Sequence, residues 1–267
     1  MQRQPAVSGQ FYPGTAESLS AELSQLVVRT AFTQQVKGIV APHAGYIYSG
    51  AIAGKIYGTI KIPATVLILG PNHHGIGYPA ALYPEGEWLT PLGALKINTR
   101  LNKLIRQHVP VAKLDSVAHQ FEHSLEVQAP FIQYLKPDAT ISALCLGFGD
   151  YQTVEAMGIG LAEAIRRYGE DVLIVASSDM SHYESATAAK RKDESALQRL
   201  LEFDAEDLLR VCRQDNITMC GVVPAAVMLI AARELGATHA ELTAYGTSGD
   251  VTGDNSQVVA YASVAVW

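Results

Sequence analysis

The sequence is poor in cysteine, in long apolar runs and in clustered positive charge. Its 267 residues hold three cysteines, Cys145, Cys212 and Cys220, odd in number and widely separated. That argues against a disulfide framework and against a zinc knot built from cysteine alone, and a reducing, cytoplasmic setting fits best. No apolar run approaches the ~20 residues needed to cross a bilayer, and the opening Met1-Gln-Arg-Gln-Pro5 carries no signal-peptide pattern. Long blocks of Lys and Arg are absent and the formal net charge is −6, so neither nucleic acid nor a membrane is the expected partner. A Walker-type Gly-Lys-Ser/Thr is missing, as is a strand-linked Gly-x-Gly-x-x-Gly, which removes the common phosphate cradles. No repeat, low-complexity tract or linker breaks the chain, so one domain spanning 1–267 is the simplest organisation.

What is present is a large apolar fraction, 48% against 17% charged, enough for a sizeable core. Apolar runs at 38–41, 65–69, 140–146 and 172–176 read as buried strands, each stopped by Gly, Pro or Ser. Between them lie helical stretches near 18–28, 49–57, 101–107, 122–135, 150–168, 185–203, 205–213 and 221–235. Residues 80–98 predict short antiparallel strands, and 241–245 with 257–266 predict two closing strands, the last a candidate for antiparallel pairing at one side. The alternation predicts an α/β fold with a mostly parallel central sheet flanked by helices and some antiparallel strands.

Three of the strands run into chemistry. The first leads to Pro42-His43-Ala44-Gly45, the second to Gly70-Pro71-Asn72-His73-His74-Gly75, and a third to Ser177-Ser178-Asp179-Met180-Ser181-His182. Ligands of open α/β sheets sit beyond the carboxyl ends of strands, so these side chains are candidates for one crevice. At most one of His73 and His74 should face it, because neighbours on extended chain point to opposite sides. Asp179 and His182, three apart, would share a face on a helical turn, with Asp179 orienting the imidazole or simply capping the next helix. Glu122, His123 and Glu126 form a further acidic and imidazole cluster, equally readable as a solvated helix start capped near Ser124. Cys220 precedes an apolar helix whose amides favour thiolate, whereas Cys145 and Cys212 read as inert core. The Gly- and Asp-rich stretch 246–256 reads as an ordinary connection that could also cover the crevice.

In these segments the chain resembles the Memo family, whose prokaryotic members are labelled AmmeMemoRadiSam system protein B. Gly9-Gln-Phe-Tyr-Pro13, Ala41-Pro-His-Ala-Gly-Tyr46, Gly70-Pro-Asn-His-His74, Glu122-His-Ser-Leu-Glu126, Ser177-Ser-Asp-Met-Ser-His182 and Cys220-Gly221 carry the resemblance, in family order. It implies a fold similar to class III extradiol non-haem iron dioxygenases and a metal pocket of His43, His73 and Cys220, with Asp179 and His182 beside it. The implied metal is Fe(II) or Cu, with Zn also compatible with two imidazoles and a thiolate. It also implies AMMECR-type and radical SAM proteins as partners; an unidentified small molecule and self-association into a homo-oligomer are compatible with it. The family pattern has cysteine where those dioxygenases have a carboxylate. Three readings follow. The first is a metal-dependent redox or oxygenase-like enzyme, with Asp179, His182 and Cys220 as catalytic groups. The second is a non-catalytic metal-binding or interaction protein. The third is a metal-free hydrolase with Cys220 as nucleophile, His182 as base and Asp179 as orienter.

Overall fold

The computed structural model describes residues 1–30 and 35–267. The amino-terminal part holds β1 (Gln2–Arg3), α1 (Ala16–Leu26), β2 (Gly38–Ala41), α2 (Tyr46–Thr59) and β3 (Thr65–Pro71). Three short strands follow, β4 (Ala80–Leu82), β5 (Glu87–Thr90) and β6 (Gly93–Ile97), then α3 (Thr99–His108), β7 (Lys113–Leu114), a single 3-10 turn at Glu126–Gln128 and α4 (Ala129–Leu135). The carboxyl-terminal half comprises β8 (Thr140–Leu146), α5 (Tyr151–Tyr168), β9 (Val172–Ser177), β10 (His182–Glu184), α6 (Ala186–Leu201), α7 (Ala205–Gln214) and α8 (Val222–Glu234). It closes with β11 (Ala240–Thr247), α9 (Gly249–Thr252) and β12 (Val258–Val266).

Local chemistry explains many of the boundaries. Thr15, Asn98, Asp150, Ser185 and Asp204 each accept a backbone N–H at a helix start. Gly169 ends α5 with φ 76°, a left-handed cap that costs glycine little.

The strands form one mixed, mostly parallel sheet in the order β1-β5-β6-β8-β3-β9-β2-β12-β10, with β11 also on β12 and β4 on β8. β6, β8, β3, β9 and β2 run parallel to one another in that order, while β12 closes antiparallel on β2, and β5 and β6 make the antiparallel pair expected within 80–98. Successive residues of the central strands alternate between two cores. Val40, Leu67, Leu69, Ile174 and Ala176 pack on the side of α3, α5 and α8, whereas Ile39, Val66, Ile68, Leu173 and Val175 pack on the side of α1, α2 and α4. Burial on both faces is why these strands read as continuous apolar runs. Among the described residues no helix is long and apolar enough to cross a membrane.

Residues 122–135 depart from the expected helix. Residues 122–125 are irregular, and the α-helix starts only at Ala129. Ser124 is therefore no helix cap: its hydroxyl donates to the carbonyl of Pro71 (3.2 Å). Glu122 is no solvated helix start either, being 1% exposed.

His119, also fully buried, sits edge-on to Tyr83 and Trp88. Its Nε2–H donates to the Ala81 carbonyl (2.9 Å), and its Nδ1 has no partner among the described residues. Burial pulls its pKa down to about 4. The unfolded chain therefore binds a proton below about pH 6.5 that the native state refuses until about pH 4, and stability falls as pH drops through that window. His119 alone accounts for about 3 kcal/mol between those limits. His43 and His123, also lowered by burial, act in the same direction. Urea midpoints followed from pH 7.5 to pH 4.5 should fall less steeply in His119→Gln than in the parent chain; parallel curves would refute the assignment.

Candidate metal centre

β3, β9 and β2 are adjacent and parallel, so their carboxyl ends open side by side. His73, Asp179 and His43 each lie two residues past the end of their strand. The irregular 122–125 segment crosses in front of them. It lies against Gly70, where a Cβ would come within 2.6 Å of Leu125 Cδ1 and 2.7 Å of Ser124 Oγ. This crossing delivers His123. One ligand atom from each of His43, His73 and His123 lies within 4.8 Å of the others, a spread that an ion at about 2 Å from each nitrogen would tighten. The rings of His73 and His123 stack with centroids 4.8 Å apart, and His43 stands edge-on to both.

Hydrogen bonding decides which nitrogens are free. The Nε2 of Gln128 donates to the Pro42 carbonyl (2.9 Å) and to Ser177 Oγ (2.8 Å), while its Oε1 accepts from Tyr57 (3.0 Å). Ser177 in turn donates to the Ser124 carbonyl (2.6 Å). Its one proton is thereby used, so the contact with His43 Nδ1 (2.9 Å) must be donated by the imidazole. His43 Nε2 is left as a lone pair facing the pocket. His73 Nδ1–H donates to Glu122 Oε1 (2.8 Å), which frees its Nε2 in the same way. The Glu122 carboxylate also accepts the backbone N–H of His73 (2.7 Å) and of Ser124 (2.9 Å). Burial raises its pKa, but these hydrogen bonds win and hold it well below the usual carboxylate range. Burial, with repulsion from neighbouring imidazoles, lowers the pKa of His43 and His123, so both are neutral near pH 7, the form that binds metal. His74 points away, its Nε2 on the Phe121 carbonyl (3.0 Å).

Cys220 Sγ is 3.2 Å from His43 Nε2 and accepts the N–H of Asp179 at 3.2 Å. The sulfur therefore reaches His43, whereas the mutually close trio is completed by His123. The expected thiolate is not what the free pocket favours: burial, then the Asp179 carboxylate, pushes the thiol pKa up against the pull of the local hydrogen bonds. Asp179 accepts the His43 N–H (2.8 Å), and burial raises its carboxyl to about 6. Asp179 and His182 do not share a helical turn, because the chain after β9 crosses to the short strand β10. His182 Nδ1–H donates to the Thr218 carbonyl (3.0 Å) and not to Asp179, which leaves Nε2 as its acceptor. The Asp179-to-His182 orientation required by the hydrolase reading is thus absent.

Gly221 starts α8 hard against the end of β9. A Cβ there would sit 2.2 Å from the Ser177 carbonyl oxygen and 2.5 Å from Ser178 Cβ. Gly221→Ala should cost about 1–3 kcal/mol by overpacking, and by shifting Cys220 and Ser177 it should also weaken metal binding. A chemical-denaturation midpoint equal to the parent's would count against this packing argument.

The whole chain can be set beside known proteins. A family model described as Memo-like protein matches residues 3–265. The chain belongs to the Memo family. A MEMO1 family protein of Aquifex aeolicus is 44% identical over 97% of both chains, and one of Methanococcoides burtonii is 40% identical over 99% of both. The crystal structure of an uncharacterized Escherichia coli protein superposes with a TM-score of 0.53 at 15% identity, covering 86% of this chain and 99% of that one, which is a likeness of fold. Within this Memo-family chain, strand ends pointed to His43, His73 and Asp179 in the sequence. His123 and Glu122 follow no apolar strand, and their sequence signals were the clustering of imidazole and carboxylate and the family-like segment Glu122–Glu126. Ser177 and Gln128 set the His43 tautomer; Ser177 lay inside a segment already singled out but its role there was not read, and Gln128 carried no signal at all.

Proposed function

We propose that this chain is a metal protein with redox or oxygenase-like chemistry, its ion held by His43 and His73 together with His123 and the sulfur of Cys220. The observation that supports it most is the pair of back-bonded imidazoles: His43 and His73 each spend Nδ1–H on a buried partner and turn an Nε2 lone pair inward, that of His43 meeting the Cys220 sulfur at 3.2 Å. Outer partners of this kind fix tautomer and raise ligand basicity in metal sites. Nitrogen donors with one sulfur suit Fe(II), Cu or Zn better than Mg or Ca, and the family resemblance puts Fe(II) or Cu first. Four protein donors would fill a tetrahedral ion, whereas a five- or six-coordinate ion such as Fe(II) would keep a position open, where it could polarise or activate a bound molecule. His182, with Nε2 free, and Asp179, titrating near pH 6, are the groups placed to take or return a proton. Three free cysteines among the described residues suit a reducing, cytoplasmic setting.

The test is anaerobic reconstitution with Fe(II) or Cu followed by metal analysis. One ion per chain is expected, with loss of binding in His43→Ala and His73→Ala. Stoichiometric metal in either variant would overturn the assignment. Turnover of a substrate that disappears in the same variants would separate the enzymatic reading from that of a non-catalytic metal carrier.

A further inference from the structure

Beside the imidazoles lies a crevice of about 620 Å³, bordered by His123, Asp179 and His182. Four aromatic rings, Phe11, Tyr48, Tyr183 and Tyr261, share its lining with small, aliphatic and polar residues such as Gly45, Ile47, Ser248 and Gln257. Among the described residues that line it there is no lysine or arginine, and Asp254 stands at its side. The carboxylates of Asp179 and Asp254 in its lining, with Glu122 behind His73, would offset the charge of a divalent ion held by the imidazoles. An anion would find no fixed positive charge to bind and several negative ones to avoid.

Tyr183 shows how the wall is made. Its backbone has φ 58°, a conformation unusual for a bulky aromatic residue. In a regular strand His182 and Tyr183 would point to opposite faces. The pairing of β10 with β12 slips between His182 and Glu184, and both side chains come to line the one crevice. Tyr183 is nevertheless 76% exposed, a large ring held out at the rim with little protein against it. Tyr48, at the start of α2, is 40% exposed at the same opening. Such rings form a face that a flat ligand can stack on, and they attract a cation over their faces.

We propose that this crevice binds a small aromatic molecule without negative charge, neutral or carrying an amine, between Tyr183 and Tyr48 with its polar end toward Asp254. The proposal rests on the metal-centre reading only for what the bound molecule would meet at the His123 end. The test uses the full chain loaded with Zn(II), which is redox-inert, and three probes of one shape: tyramine, para-cresol and para-hydroxyphenylacetate. Calorimetric titration at fixed ionic strength should show tyramine and para-cresol binding at least about tenfold more tightly than the acid. Tyr183→Ala and Tyr48→Ala should each weaken tyramine about five- to thirtyfold with zinc content unchanged. Asp254→Asn should narrow the gap between tyramine and the acid and leave para-cresol unmoved. Equal affinity for the acid, indifference of tyramine to both tyrosine variants, or no binding of any probe would overturn the proposal. Zinc content is measured separately, so the two readings part cleanly. Bound zinc without aromatic binding sinks the crevice and spares the centre, and aromatic binding without bound zinc does the reverse.

Discussion

Alanine at His43 is expected to cut metal affinity by more than a hundredfold, and alanine at His73 to do the same. Loss of an outer partner alone typically costs ten- to hundredfold, and each of these changes removes the nitrogen itself. The outer partners give the graded control. Glu122→Gln keeps the shape but removes the charge that accepts His73 Nδ1–H, and Ser177→Ala removes the oxygen that accepts His43 Nδ1–H. Both should weaken binding by ten- to hundredfold while leaving one ion per chain at saturation. Cys220→Ser and His123→Ala rank the remaining donors. A sulfur donor is visible as a thiolate-to-metal charge-transfer band after Cu(II) or Co(II) loading, and Cys220→Ser should abolish it. Because burial holds the free thiol protonated, binding through sulfur must release a proton, and affinity should climb with pH. A titration in which His43→Ala and His73→Ala bind as the parent does would end the metal-centre reading.

The contrast between what the sequence revealed and what it concealed follows from range. Strand ends are local features: an apolar run stopped by Pro or Gly marks both the strand and the spot where its next residues emerge. His43, His73 and Asp179 were therefore visible, and the alternation of runs with helical stretches carried the parallel sheet. The 122–125 segment is placed by what it touches, namely Gly70, Pro71 and a buried arginine, none of them near in sequence. Local pattern alone made its carboxylates look like a solvated helix start. Cys220 shows the same limit in energetic form. The helix N-terminus was legible and its pull on the thiol was inferred correctly in sign, but burial acts in the opposite direction and is larger. The Asp179–His182 spacing suited a helical turn, and only the pairing of β10 with β12 decides otherwise.

The arginine that steadies the 122–125 segment supports the second large effect. Arg3 is 5% exposed, and its guanidinium lies over Trp88, 4.5 Å from the ring centroid. It pairs with Glu126 at 2.7 Å and donates to the carbonyls of His119 and Glu122, each at 2.7 Å. Glu126 accepts, in addition, the N–H groups of Ala6 and Val7 and the hydroxyl of Tyr12. The amino-terminal strand and the residues that carry Glu122 and His123 are thus tied by one buried pair. Arg3→Ala should cost about 3–5 kcal/mol, because it strands a buried carboxylate and two carbonyls, and Tm should fall by roughly 10 °C. Apolar replacement of both partners, often neutral for a buried pair, should not rescue this one: with Glu126 gone, the amides of Ala6 and Val7 lose their acceptor. Metal affinity should drop in Arg3→Ala as well, since the Glu122 carbonyl anchors the turn that sets its carboxylate on His73. A loss below about 1 kcal/mol, the range of exposed pairs, together with unchanged metal binding, would show that the pair neither holds the fold together nor positions the site.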